Sequence, residues 1–144
     1  MIITIARSPT SQSAELETLK ADGMDKINAY AGKIRRKYIS DIIGQDMMYL
    51  RKEQEAIEYL RLSALTADPV SLDDFPFLRR EALALGQSGY ELSQVILYQA
   101  QLWLDIGPRM EGLRVGAGDD LSRALSGPEI DLIISDFETN MGIF

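Results

Sequence analysis

The stretch that decides the fold is 88-SGYELSQVILYQAQLWLDIGPRMEGLRVGAGDDLSRAL-125. Its apolar residues recur every three or four positions, which is the spacing of one face of an α-helix. They are Leu92, Val95, Ile96, Leu102, Trp103, Ile106, Met110, Leu113, Ala117 and Leu121. Ser88 and Glu91 have the spacing of a capping box, so a helix is predicted to start at Ser88. The pattern predicts one long amphipathic helix against which the rest of the chain packs.

Gly107 and Pro108 interrupt this pattern in the middle of the predicted helix. A proline inside a helix removes one backbone hydrogen bond and clashes with the preceding turn. The apolar spacing continues in phase through Met110 and Leu113, on the far side of the proline. The sequence therefore predicts a kink in the helix and not its end.

Two helices are predicted before this stretch, over about 14–40 and 45–65. In the first, Ser11 or Ser13 is the expected cap. The apolar face of the second is expected to point inward and consists of Met47, Leu50, Ile57, Leu60 and Ala64. Only a short connection separates the two helices, which predicts that they pack as an antiparallel hairpin.

Two shorter helices complete the prediction. Pro76 suits the first turn of a third helix over 77–85, and Gly86 suits the position after its end. Ser126 and Glu129 repeat the capping-box spacing before a fifth helix over 128–138. The expected fold is all-α: a four- to five-helix bundle forming a single domain over 14–138.

The two ends of the chain carry apolar residues outside this domain. The segment 1–13 begins MIITIAR and is expected to be an extended arm, which is disordered, adds as a strand to a neighbour, or lies on its own domain. The tail 139–144 (TNMGIF) is expected to dock on the domain or on a partner. The residues predicted to contact a partner are Ile2, Ile3, Ile5, Met141, Ile143 and Phe144.

Composition narrows the functional classes. The 144 residues carry a formal net charge of -7, which argues against general nucleic-acid binding. The chain has no cysteine and no histidine, so it lacks the commonest metal ligands and the commonest general base. No apolar run is long enough to cross a membrane. We therefore expect neither enzyme activity, nor a cofactor, a metal site, a small-molecule substrate or a membrane partner.

Two charged clusters allow a functional and a structural interpretation. The run KIRRKY at 33–38 could bind phosphate, or it could place cations at the negative end of a helix dipole beside buried Ile34 and Tyr38. Asp73 and Asp74 could hold a cation, or they could cap the third helix. Because the chain as a whole is acidic, the structural interpretation is favoured for KIRRKY. Because the spacing of a calcium-binding loop is missing, the structural interpretation is also favoured for Asp73 and Asp74.

Several segments in order resemble a known helical module. They are INAYAGKIRRKYIS (27–40), GQDMMYLRKEQEAIEYL (44–60), ADP (67–69), DDFPFLRREA (73–82) and ELSQVILYQAQLWLDIGPRMEGLRVGA (91–117). Together they are similar to a module of tail-associated structural proteins of tailed bacteriophages and prophages, often encoded near tail-fibre genes. The resemblance covers about 27–125 and implies no catalytic residues.

The resemblance implies a structural component of the virion, associated with its tail, tail fibre or neck. Such a protein would be made in the cytoplasm of the bacterial host and would bind other virion proteins, in multiple copies or as a homo-oligomer. Two alternatives stay open. The chain could be a tail-fibre assembly chaperone that is absent from the finished particle, or a small phage-encoded protein that binds a host factor through its acidic surface.

Overall fold

The computed structural model describes residues 8–39 and 44–144. Within these ranges it contains five helices and no strand: α1 (Pro9–Arg35), α2 (Gln45–Leu65), α3 (Pro76–Leu85), α4 (Gly89–Arg123) and α5 (Gly127–Met141). The predicted all-α fold with five helices and a long fourth helix is confirmed. The fourth helix continues through Pro108, which lies inside α4.

The chain divides into two compact units, which we call unit 1 (1–39 and 106–144) and unit 2 (40–105). Unit 1 contains α1, α5 and the part of α4 from Ile106 onward, and unit 2 contains α2, α3 and the part of α4 up to Asp105. Within its unit α1 packs against α5, and α2 packs against α3. The predicted single domain over 14–138 and the predicted hairpin of the first two helices each include residues of both units. Both stay predictions.

Unit 1 is a bundle of three helical segments. The α1 and α5 helices are parallel, since Leu19 lies beside Gly127 at the start of α5 and the Tyr30 and Phe137 rings meet at 6.2 Å further along both helices. The α4 segment runs antiparallel to α1, because Lys20 donates to the Ser122 carbonyl whereas Asn28, further along α1, accepts from Arg114. The buried apolar residues of this unit are Ile27, Ile34, Ile106, Met110, Ala117, Leu121, Ala124, Ile130, Phe137 and Met141.

Gly23 is a place where α1 approaches its neighbours closely. A Cβ atom at Gly23 would lie 3.3 Å from Cγ2 of Ile130 and 3.4 Å from side-chain carbons of Ile134 and Leu121. Contacts this short leave no room for a branched side chain. The missing side chain therefore lets α1 lie directly on α5 and on the last turns of α4.

The start of α1 corrects the predicted arm. Ser8 is the N-cap and its hydroxyl accepts from the Ser11 amide, so neither Ser11 nor Ser13 is the cap. The helix begins at Pro9, and residues 9–13 are helical although they were predicted to be extended. Proline is favoured at the first helical position because its φ is preset and its missing N–H has no partner there. Near the end of the sequence, α5 continues to Met141, three residues beyond its predicted end.

Unit 2 is organised around the Tyr59 side chain of α2. Its ring meets Phe75 edge to face at 5.4 Å, and its hydroxyl donates to the Val70 carbonyl at 3.2 Å. A Cβ atom at Gly89 would lie 2.9 Å from the same ring, so α4 begins in direct contact with Tyr59. The buried apolar cluster consists of Ala56, Tyr59, Phe75, Leu78, Ala82, Leu92 and Ile96.

A carboxylate from α2 caps the start of α3. Glu55 is buried, and its Oε2 accepts from the backbone amides of Phe77 and Leu78, each at 3.0 Å. The local N-cap of α3 is Phe75, which provides no side-chain cap. The prediction that Asp73 or Asp74 caps this helix is therefore wrong. The first amides of a helix need an acceptor, and a residue distant in sequence provides it.

The local signals at the start of α4 and at Pro76 and Gly86 of α3 are confirmed, and the one at the start of α5 is confirmed in part. Ser88 and Glu91 form the predicted capping box, with the Glu91 amide 3.1 Å from the Ser88 hydroxyl. At α5 the Ser126 hydroxyl accepts from the Glu129 amide, as predicted. The Glu129 carboxylate, however, accepts from the Leu125 amide and not from that of Ser126. Pro76 opens α3, and Gly86 ends it in the left-handed conformation with φ 64.

The Glu55 cap predicts an unequal effect of two carboxylate deletions. Glu55→Ala leaves two amides of α3 without their acceptor and should lower the free energy of unfolding of unit 2 by about 2–3 kcal/mol. Asp74→Ala removes an exposed carboxylate and should cost less than about 0.5 kcal/mol. Urea titrations followed by the fluorescence of Trp103, which lies in unit 2, measure both. If Asp74→Ala lowered the free energy of unfolding as much as Glu55→Ala, the result would contradict the cap by Glu55 and support a cap by Asp74.

Two glycine substitutions in unit 1 should have opposite signs. Gly23→Val forces side chains of α5 and α4 apart and should destabilise the protein by about 1–3 kcal/mol. Gly112→Ala adds a methyl group to α4 where no atom lies within 4 Å. It should stabilise the helix by about 0.5–1 kcal/mol. Thermal unfolding followed by far-UV circular dichroism tests both, and a stabilising Gly23→Val would contradict the close approach at α1.

Candidate interaction surface

Between 8 and 39 and from 44 onward, no group of three acidic side chains is placed to hold a metal ion. Asp119 and Asp120 both contact Arg123, at 2.7 and 3.2 Å, on the exposed side of α4. The helices of the described chain are also too short or too polar to cross a membrane.

The shifted pKa values belong to exposed ion pairs along helix surfaces. A hydrogen bond from Arg114 lowers the pKa of Glu111, and a hydrogen bond from Arg61 lowers the pKa of Glu58. Each carboxylate is paired with an arginine three residues further along the same helix. A general acid or base at neutral pH needs a shift in the other direction. These groups therefore act as surface ion pairs.

The basic run KIRRKY has the structural role that the sequence favoured. Lys33 and Arg35 occupy the last turn of α1, where cations suit the helix dipole. Ile34 is buried, as predicted, whereas Tyr38, which is expected to be buried too, is only half-buried. The Tyr38 hydroxyl donates to a backbone oxygen of Phe144, so the turn after α1 is attached to the end of the sequence.

An open groove in unit 1 lies between the first turns of α1 and the residues that precede α5. Its apolar lining comes from Leu16, Leu19 and Leu125. Glu15 is the one titratable side chain among its described lining residues. A single carboxylate at the edge of an open groove does not form a catalytic pair.

The C-terminal residues predicted to contact a partner lie in three different environments. Met141 is fully buried in unit 1, so a partner cannot reach its side chain and the prediction for it is wrong. Phe144 is half-buried, with its ring centre 5.0 Å from the Arg109 guanidinium carbon. Ile143 is exposed. This segment therefore docks mainly on its own unit. The other candidates, Ile2, Ile3 and Ile5, lie outside the described residues.

The predicted inward face of α2 points to solvent. Met47 is 77% exposed, Leu50 60% and Ile57 52%, and Ala64 is exposed too. Leu60 alone of the predicted set is half-buried. The face that α2 buries contains Glu55, Ala56 and Tyr59 instead. The sequence predicts that the most apolar side of α2 is buried, but the side that contacts α3 is a different one.

The first half of α4, in unit 2, also exposes residues that are predicted to point inward. Leu92 and Ile96 are buried as predicted. Val95 and Leu102 were also predicted to point inward, and that part is wrong, because they are 43% and 39% exposed. Tyr98, between them, is 71% exposed. The spacing of these last three residues places them along one side of the helix.

We name these surfaces the α2 stripe (Met47, Leu50 and Ile57) and the α4 stripe (Val95, Tyr98 and Leu102). Both belong to unit 2. Single exposed apolar residues are common on soluble proteins, but rows of large ones at helical spacing mark contact surfaces. No charge pattern or motif in the sequence distinguished these rows from core residues. The two stripes are the candidate functional site.

Comparison with known proteins adds no assignment to this geometry. No family model matches the chain, and neither a curated protein nor a solved structure matches it. The exposed apolar surfaces and the sequence resemblance are therefore the features that bear on function.

Two C-terminal substitutions separate core from surface. Met141→Ala removes a fully buried side chain and should cost about 2–5 kcal/mol of stability. Ile143→Ala changes an exposed side chain and should cost less than about 0.5 kcal/mol. Urea unfolding followed by circular dichroism measures the difference. Equal costs would show that the segment does not dock as described.

Proposed function

We propose that this chain is a protein–protein attachment module without catalytic activity, acting as a structural component of a tailed-phage virion. The observation that carries the attachment role is the pair of exposed apolar stripes on unit 2. Leu50 and Tyr98, which lie on different helices, are each more than half exposed. The virion setting is supported by the sequence resemblance over about 27–125.

Leaving these stripes in water costs free energy. Burying apolar surface contributes roughly 25 cal/mol for each Å² removed from water. Side chains such as Met47 and Ile57 gain little of this in the chain alone, because most of their surface is exposed. Contact with a partner would recover it. Tyr and Met are also enriched at protein–protein contacts, which agrees with Tyr98 and Met47 at these positions.

The described polar groups support attachment over catalysis. Glu55 is the buried carboxylate of unit 2, and the α3 amides already occupy it. The carboxylates with shifted pKa values, Glu58 and Glu111, are bound to arginines on exposed surfaces. A reaction would need a nucleophile, acid or base directed into a site that excludes water. These three carboxylates are engaged in structural contacts instead.

The experiment is mass spectrometry of purified particles from a phage or induced prophage that encodes this chain. We expect the chain in the finished particles at a fixed ratio to the other structural proteins. Its absence from particles whose assembly requires it would overturn the proposal in favour of an assembly chaperone.

A surface variant tests the attachment site within the same experiment. Tyr98→Ser combined with Leu102→Ser removes most of the α4 stripe and should reduce the amount of chain in particles by roughly tenfold or more. Gln101→Ala, at an exposed position roughly 90° around the same helix from the centre of the stripe, is the control and should be incorporated normally. Circular dichroism and thermal unfolding verify that both variants fold. Normal incorporation of the double variant would exclude the α4 stripe as an attachment site.

A further inference from the structure

We infer that the α2 stripe is the contact between two copies of this chain, which pair with their α2 helices antiparallel. The inference deepens the proposed attachment role, because it names the partner of one of the two stripes. It depends on unit 2 carrying contact surfaces and does not depend on the virion setting.

The exposed residues along α2 have the spacing of a helix that packs against another helix. Leu50, Ile57 and Ala64 follow each other at intervals of seven, and so do Met47, Gln54 and Arg61. The two rows alternate by three and four residues, which is the spacing that packs one helix along another as a coiled coil. All six side chains are exposed. The seam runs nearly the whole 21-residue length of α2.

The identity of the seam residues favours a helix of the same sequence in antiparallel orientation. Antiparallel pairing centred between Gln54 and Ile57 places Met47 opposite Ala64 of the second copy. It places Leu50 opposite Arg61 of the second copy, whose aliphatic stem covers Leu50 while the guanidinium group stays in water. Each large apolar residue thus meets a small residue or a long flexible one. A few polar residues within such a seam fix its register.

The flanking charges select the orientation. Arg51 and Glu58 lie on one flank of the seam, and Asp46 and Glu53 lie on the other. Antiparallel helices bring identical flanks together, so Arg51 meets Glu58 of the second copy twice. Parallel helices bring opposite flanks together. Asp46 then attracts Arg51 of the second copy, but Glu53 lies beside Glu58 of the second copy, and their repulsion offsets that attraction. The acidic flanks also meet in the antiparallel pair, but in this register Glu53 lies about 7.5 Å along the axis from Glu53 of the second copy. The two closer Arg51–Glu58 attractions outweigh this repulsion, so charge complementarity favours the antiparallel pair.

Glu58 is compatible with this contact in its present position. Its carboxylate already accepts from the Arg61 side chain at 2.7 and 2.8 Å, and both residues are exposed. A carboxylate has acceptor capacity for a second guanidinium group. Glu58 can therefore keep Arg61 and also pair with Arg51 of the second copy.

The first test is sedimentation-velocity ultracentrifugation of the full chain over a range of concentrations. We expect a monomer–dimer equilibrium. Ile57→Asp should raise the dissociation constant by at least about a hundredfold, because each dimer loses two buried apolar side chains and gains two charges. Leu50→Ser is a second variant at a still more exposed position. Circular dichroism and thermal unfolding establish that both fold.

A charge reversal then distinguishes the two orientations. In the antiparallel pair, Glu58→Arg places arginine against Arg51 and should weaken the dimer by roughly tenfold. In a parallel pair, the same change would replace a repulsion with an attraction and strengthen the dimer. Combining Arg51→Glu with Glu58→Arg restores the complementary charges and should recover most of the affinity in the antiparallel case.

The outcomes separate this inference from the proposed function. Tyr98→Ser with Leu102→Ser should leave the dimer intact, because it changes the other stripe. A chain that stays monomeric, or a dimer that Ile57→Asp does not weaken, overturns self-association even if the chain is found in particles. A dimer strengthened by Glu58→Arg overturns the antiparallel arrangement. A dimer with the expected sensitivities supports the inference even if the chain is absent from particles.

Discussion

The hydrogen bonds from the first amides of α3 to the Glu55 carboxylate are the constraint on which unit 2 depends. They attach α2 to α3 at one point and fix which side of α2 is buried. Tyr59, one helical turn further on, extends this contact through Phe75 and Val70. A buried carboxylate is tolerated only when hydrogen bonds compensate for its lost hydration, and the helix terminus provides them. The position of α2 therefore follows from a polar contact and not from its most apolar face.

This choice of face explains why the most apolar side of α2 remains exposed. A helix cannot present both Glu55 and Ile57 to the same neighbour, because they are two residues apart and point about 200° from each other around the axis. Once Glu55 faces α3, Ile57 and its neighbours along the seam must face outward. The exposed stripe is thus a direct consequence of the cap. In unit 1 no such conflict arises, and Ile106, Met110, Ala117 and Leu121 are buried as their spacing predicted.

The features that sequence could predict are those decided by a few neighbouring residues. The Ser88–Glu91 box, Pro76 at the start of α3 and Gly86 at its end depend only on local backbone geometry, and each is confirmed. The start of α1 was missed because Pro9 has two local meanings, a breaker or a first helical residue, and Ser8 decides between them. The buried face of α2 depends on amides 22 and 23 residues away from Glu55, which no helical periodicity encodes. The candidate surface was hidden for the same reason, since its residues looked like core.

The lengths of the helices give an independent reason for a partner at α2. With 21 residues α2 is about 32 Å long, whereas the 10 residues of α3 extend only about 15 Å. The α3 helix therefore cannot cover α2 along its whole length, even on the face that it contacts. A helix of equal length and complementary flanks, such as a second α2, can follow the seam from Met47 to Ala64. Because the buried cluster around Tyr59 uses the opposite side of α2, such a contact would add to the fold of unit 2 without competing with it.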